Sequence, residues 1–243
     1  MVVIRSMALL ASLSLPAAAT EAIDWAYHGQ FGPDHWSQIN SAYGLCGDGV
    51  QQSPVDIIDA FDTYLEPPEI HWQMDGWQAE HSGRTLVLHN ENGGTATHDG
   101  MDYALIQVHF HAKSEHAFDG EHFPMEVQFM HRDGAGNFLI IAQMLRGGGR
   151  HDQMNAILAA MPEKKGQAKP LDPIDLSHLV SDLDDAYRYE GSLTIPPCVE
   201  TVTWLVVPDP VVISEEALLA FSSFFPDSRR PLQPMNRRIV LTD

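Results

Sequence analysis

The sequence predicts a mainly β protein with short peripheral helices. Several runs rich in Val, Ile and aromatic residues have the composition of strands, some with a period-two alternation. Turn-formers such as Asp133-Gly134 and Gly147-Gly148-Gly149 bound them. Helical signals are confined to short segments.

In chain order the predicted strands cover residues 85–89, 103–111, 125–131, 138–145 and 201–207. A helix over 151–160 places Met154, Ile157 and Leu158 on one side, and Pro162 stops it. Ser214 is an N-cap for a helix over 215–225, with Glu215 and Glu216 in the first turn where the helix dipole favours them. The proline-rich stretches at 66–68 and 171–173 read as surface connections. With no repeat or low-complexity linker, residues 20–243 form one domain.

Residues 1–19 read as a secretory signal: Arg5, an apolar stretch over 7–15, then Ala17-Ala18-Ala19 as a small-residue cleavage site. The alternative is an uncleaved N-terminal helix. No other segment approaches a membrane span, so the mature protein is expected to be exported, periplasmic or secreted. The net charge of −19 argues against nucleic-acid partners and adhesion to anionic lipid. Oligomeric state is left open. In an oxidising compartment Cys46 and Cys198 make most simply one disulfide, otherwise two free thiols.

The most informative stretch runs from Gln107 to His116 and on to Glu126-Val127-Gln128. On a strand Gln107, His109 and His111 share one face, opposite Val108 and Phe110. Imidazoles at i and i+2 suit a strand-borne metal site. A second strand puts Glu126, Gln128 and Met130 on one face. A turn at Asp119-Gly120-Glu121 pairs the two antiparallel and brings Gln128 beside the histidines. The third corner of this metal pattern is therefore an amide.

With Trp25-Ala26-Tyr27, Gly32-Pro33-Asp34-His35-Trp36, Gln52-Ser53-Pro54-Val55-Asp56-Ile57, Gly191-Ser192-Leu193-Thr194-Ile195-Pro196-Pro197 and Val202-Thr203-Trp204, the chain resembles the α-class carbonic anhydrases, particularly exported bacterial members. The resemblance implies a twisted, largely antiparallel central sheet of about ten strands. It also implies Zn2+ as cofactor and reversible hydration of CO2 to bicarbonate by a metal-bound hydroxide. It assigns His109 and His111 as zinc ligands, with Gln128 at the position of the third histidine. Gln107 and Glu126 become the partners that orient ligands. Thr194 and Glu115 match a hydroxyl–carboxylate pair that aims the nucleophile. Met130, Ile140, Leu193, Val202 and Trp204 line the apolar CO2 side, and His116 and His131 match structural histidines. The positions of Cys46 and Cys198 match the disulfide of exported relatives.

Two departures stand out. Gln128 offers zinc a neutral carbonyl oxygen, Oε1, while its NH2 can still donate to Glu126. Zinc prefers N and S donors, so weaker metal binding is expected. A His-His-Gln set is the arrangement proposed for the related eta-class enzymes. At the rim, fast relatives carry Asn-Gly-His, whereas this chain has Asn92-Gly93-Gly94. The proton shuttle is therefore unknown; His89 and His98 lie nearby, and reduced turnover is expected. The alternative is a carbonic-anhydrase-like binding or scaffold module without catalysis.

Overall fold

The computed structural model describes residues 25–243, so the secretory leader expected at 1–19 lies outside the described residues. A 12-stranded mixed sheet dominates. Its main path runs Ala168–Pro170, Gln78–His81, Leu86–His89, Met101–His111, Met125–Arg132, Phe138–Gly147, Val202–Ile213, Tyr187–Gly191, Leu241–Thr242, Phe61–Asp62. Glu69–Trp72 and Gly94–His98 extend it from the Met101–His111 strand. Most pairings are antiparallel, but Phe138–Gly147 lies parallel to Val202–Ile213. Among the described residues no helix is long and apolar enough to cross a membrane.

Alternation divides the core into two layers. Val108, Phe110, Val127, Phe129, Leu139 and Ile141 face one side. The helices Asp152–Ala160 and Glu215–Phe224 cover that side through Met154, Ile157, Leu218 and Phe221. Met130, Ile140, Ala142, Trp204 and Val206 face the other, with Tyr189 and Leu193. Burial on both faces explains why the central strands read as apolar runs. Both helices begin at side-chain caps: His151 Nδ1 accepts from the Met154 N–H, and Ser214 Oγ from the Ala217 N–H.

The structure departs from the sequence reading in two places. The strand expected to end at 207 continues to Ile213 past Pro208 and Pro210. Its register slips between Gln143 and Leu145, so the prolines, which lack an N–H, fall in a bulge rather than in the ladder. The Asp119-Gly120 turn, both residues with positive φ, closes only the short Ala117–Phe118/Glu121–His122 hairpin. That hairpin joins Asp56–Ile57 in a separate three-stranded sheet. The two long strands still pair antiparallel.

His131 is buried, accepting from Trp72 Nε1 and donating through Nδ1 to the Leu139 carbonyl. Burial pushes its pKa down to about 4 from 6.5. The unfolded chain therefore takes the proton first as pH falls, so this stabilisation is complete above pH 6.5 and lost towards pH 4. The loss should reach about 3 kcal/mol. Urea unfolding at pH 7 and pH 4.5 should show the drop in the native protein and a smaller one in His131→Gln.

Candidate metal centre

The site is built across two strands in register. Gln128 sits opposite His109, Glu126 opposite His111, and Met130 opposite Gln107. All project to the face away from Val108 and Phe110, and His109, His111, Glu126 and Gln128 are buried. Each imidazole is held by one nitrogen. His109 Nε2 donates to Gln107 Oε1 at 2.9 Å, and His111 Nδ1 donates to the Ser228 carbonyl at 2.6 Å. His111 Nε2 is then a buried nitrogen with no hydrogen-bond partner.

Gln128 Nε2 donates to Glu126 Oε1 at 2.8 Å and to Glu115 Oε2 at 2.9 Å. Among the described residues its Oε1 accepts no hydrogen bond. Burial raises the Glu126 carboxyl, but the adjacent His116 charge and hydrogen bonds outweigh it and hold the pKa at about 2. Burial, with smaller contributions from His111 and His89, pushes His109 down to about 3, so its ring is neutral at physiological pH. A neutral imidazole has the lone pair a metal requires.

Glu115 is engaged on both carboxylate oxygens. Its Oε1 accepts from the Arg230 N–H at 2.9 Å, and its Oε2 is taken by Gln128. Among the described residues the Thr194 hydroxyl makes no hydrogen bond, so the bond to Glu115 implied by the resemblance is absent. Gln128 instead spans the two carboxylates, donating to Glu115 and Glu126. Met130, Ile140, Leu193, Val202 and Trp204 fall in one buried cluster on the site side of the sheet. Tyr189 donates to Ser53 Oγ at 2.8 Å and lies 2.7 Å from His116 Nε2, a supporting role.

Gly94 has φ +103°, and a Cβ there would overlap the His71 carbonyl oxygen and Trp72 Cα. A histidine cannot occupy that position without backbone movement. Gly94→Ala should cost about 2 kcal/mol or more of stability in urea unfolding. His98 is buried in the Gly94–His98 strand, and burial lowers its pKa. His89, across the strand pair from Gln107, approaches Gln107 Nε2 at 3.3 Å.

Sequence reasoning assigned no site role to Ser228 or Arg230. Both reach the site from more than 100 residues away through backbone atoms, which carry no side-chain signature. The sulfurs of Cys46 and Cys198 are bonded, with Cα atoms 5.1 Å apart. This disulfide packs with Tyr27 and Trp36 beneath the loop bearing Thr194.

Among the described residues no group of three His, Cys, Asp or Glu side chains is placed to hold a metal. His111 Nε2 is buried without a hydrogen-bond partner, and among the described residues no hydrogen bond engages His109 Nδ1 or Gln128 Oε1, so all three are free to act as donors. Donor chemistry therefore fits a divalent ion.

The family model described as eukaryotic-type carbonic anhydrase matches residues 31–243. A carbonic anhydrase of Pectobacterium atrosepticum is 35% identical over 238 residues, 97% of this chain and 98% of that protein. The α-carbonic anhydrase from Thermovibrio ammonificans, solved with the inhibitor sulfanilamide, superposes with TM-score 0.88 at 36% identity, covering 91% of this chain and all of that one. Dioscorin complexed with ascorbate superposes with TM-score 0.83 at 25% identity, over 90% of this chain and 97% of that one. With its fold, register and sequence in agreement over nearly the whole described length, the chain belongs to the carbonic anhydrase family.

Proposed function

We propose that the protein is an exported, zinc-dependent carbonic anhydrase that interconverts CO2 and bicarbonate, with His109, His111 and Gln128 as its metal donors. The observation that carries this is His111 Nε2, buried without a hydrogen-bond partner on the strand pair that bears His109 and Gln128, beside an apolar wall. When bound, zinc would serve as a Lewis acid that acidifies a coordinated water. Gln107 and Glu126 hold ligands in place, and Leu193, Val202 and Trp204 offer CO2 a site that binds water poorly. Thr194 and Glu115 remain the candidates for orienting the nucleophile, once Glu115 is released from Gln128. Turnover is reduced for two reasons: Glu115 is engaged by the amide, and Gly94 leaves the rim without a histidine. The disulfide is the observation in favour of an oxidising compartment.

A second reading, a binding module that keeps the fold without catalysis, is favoured by the same Gln128–Glu115 bond. Zinc content and CO2 hydration by stopped flow, with and without a chelator, separate the two. We expect bound zinc, activity that disappears on chelation, and zinc affinity at least about 10-fold tighter in Gln128→His. Protein that stays metal-free and inert in zinc-containing buffer would establish the binding module instead.

A further inference from the structure

A histidine outside the metal centre spans the two segments that hold it. Arg229 Nη1 lies 2.8 Å from His122 Nε2, and His122 Nδ1 lies 3.2 Å from the His116 carbonyl and 3.4 Å from Ser114 Oγ. Glu115 stands between Ser114 and His116, and Arg229 stands between Ser228 and Arg230. The same two segments meet at the site itself. There the Arg230 N–H donates to Glu115 Oε1 at 2.9 Å, and the Ser228 carbonyl accepts from His111 Nδ1 at 2.6 Å. From the short Glu121–His122 strand, His122 therefore bridges 114–116 to 228–230 beside those contacts.

Donor chemistry fixes how the bridge is protonated. A guanidinium only donates, so His122 Nε2 accepts, and the ring carries its proton on Nδ1 and donates to the His116 carbonyl. A second proton would set an Nε2–H against the Arg229 N–H, two donors and two like charges at one contact. Arg229 has somewhere to go, because its Nε already donates to Asp227 Oδ1 at 2.7 Å. Burial pushes His122 below the ordinary histidine pKa of 6.5, and the Arg229 charge adds to this. The His116 and Ser114 contacts and the Glu126 carboxylate act the other way without cancelling it. The unfolded chain therefore protonates first as pH falls, so the bridge is complete above pH 6.5 and lost progressively below it. We propose that Arg229 and His122 are positioning residues that clamp the 228–230 backbone onto Glu115 and His111, and that the clamp opens when His122 takes a second proton. Among the described residues neither side chain is hydrogen-bonded to His109, His111 or Gln128. The clamp stands on its own contacts; its consequence for metal binding rests on the zinc reading above.

Amide hydrogen exchange with chelator present tests the clamp. Rates are corrected for the intrinsic effect of pH and referred to the amide of Val127, inside the Met125–Arg132 strand. Between pH 7.5 and pH 4.5 the Arg230 amide of the native protein should lose about 10-fold of its protection, the size of one charge-assisted hydrogen bond. Arg229→Leu should show the low protection at both pH values. His122→Gln, whose amide oxygen accepts from Arg229 but takes no proton, should keep the high protection at both. Zinc affinity by chelator competition at pH 7.5 tests the consequence. His122→Leu and Arg229→Leu should each weaken it by about 10-fold, with no further loss when combined, and His122→Gln should restore it. Native protection that ignores pH overturns the proposal. So does a loss on acidification that persists in His122→Gln, since another group would then be titrating. Zinc binding unmoved by either leucine variant overturns the positioning role. Should no variant bind zinc while protection still follows His122, the clamp stands and the zinc reading falls.

Discussion

Replacing Cys46 and Cys198 together with serine should lower the unfolding free energy by up to about 5 kcal/mol. The bridge joins residues 152 apart, and closing so long a loop removes much of the freedom of the unfolded chain. Both cysteines are buried against Trp36 and Tyr27, so serine also leaves hydroxyls in apolar surroundings. Urea unfolding of the native and doubly substituted proteins measures the difference. Arg230 is the competing clamp in this region. It is buried and donates to Gln52 Oε1 and to the carbonyls of Ser53 and Cys46. A loss below about 1 kcal/mol would mean that Arg230, rather than the bridge, fastens the N-terminal segment.

Gln128→Leu should cost about 3–5 kcal/mol at neutral pH. Leucine approximates the volume of glutamine but takes an N–H from each of two fully buried carboxylates. Glu115 keeps only the Arg230 N–H among the donors described, whereas Glu126 keeps His116. A buried charge deprived of a partner is expensive, and most of the cost falls on Glu115. Unfolding should be followed with chelator present, so that any ion contributes nothing to the difference. Native-like stability at pH 7 would show that the amide does not support the two acids.

Much of this arrangement is legible from the strands themselves. Alternation alone puts Gln107, His109 and His111 on the face opposite Val108 and Phe110, and pairing puts Gln128 across from His109. Helix ends are legible because Ser214 caps locally. What escapes is set by distance or by competition between side chains. Ser228 and Arg230 act through backbone groups brought in by tertiary packing. The capture of Glu115 by Gln128 depends on which of two donors, Thr194 or the amide, reaches one oxygen. Strand 202–213 reads short because Pro208 and Pro210 mimic a terminus, while the bulge that absorbs them belongs to the partner strand's register.

The parallel seam between Phe138–Gly147 and Val202–Ile213 has a consequence for biogenesis. No hairpin can zip these two together, since their partnership waits for a long intervening stretch to be made. A ribosome or translocation channel releasing the chain from its N-terminus would deliver the first of the pair well before the second. Until then the Phe138–Gly147 edge stays open, and a truncated product ending before Val202 should aggregate rather than fold.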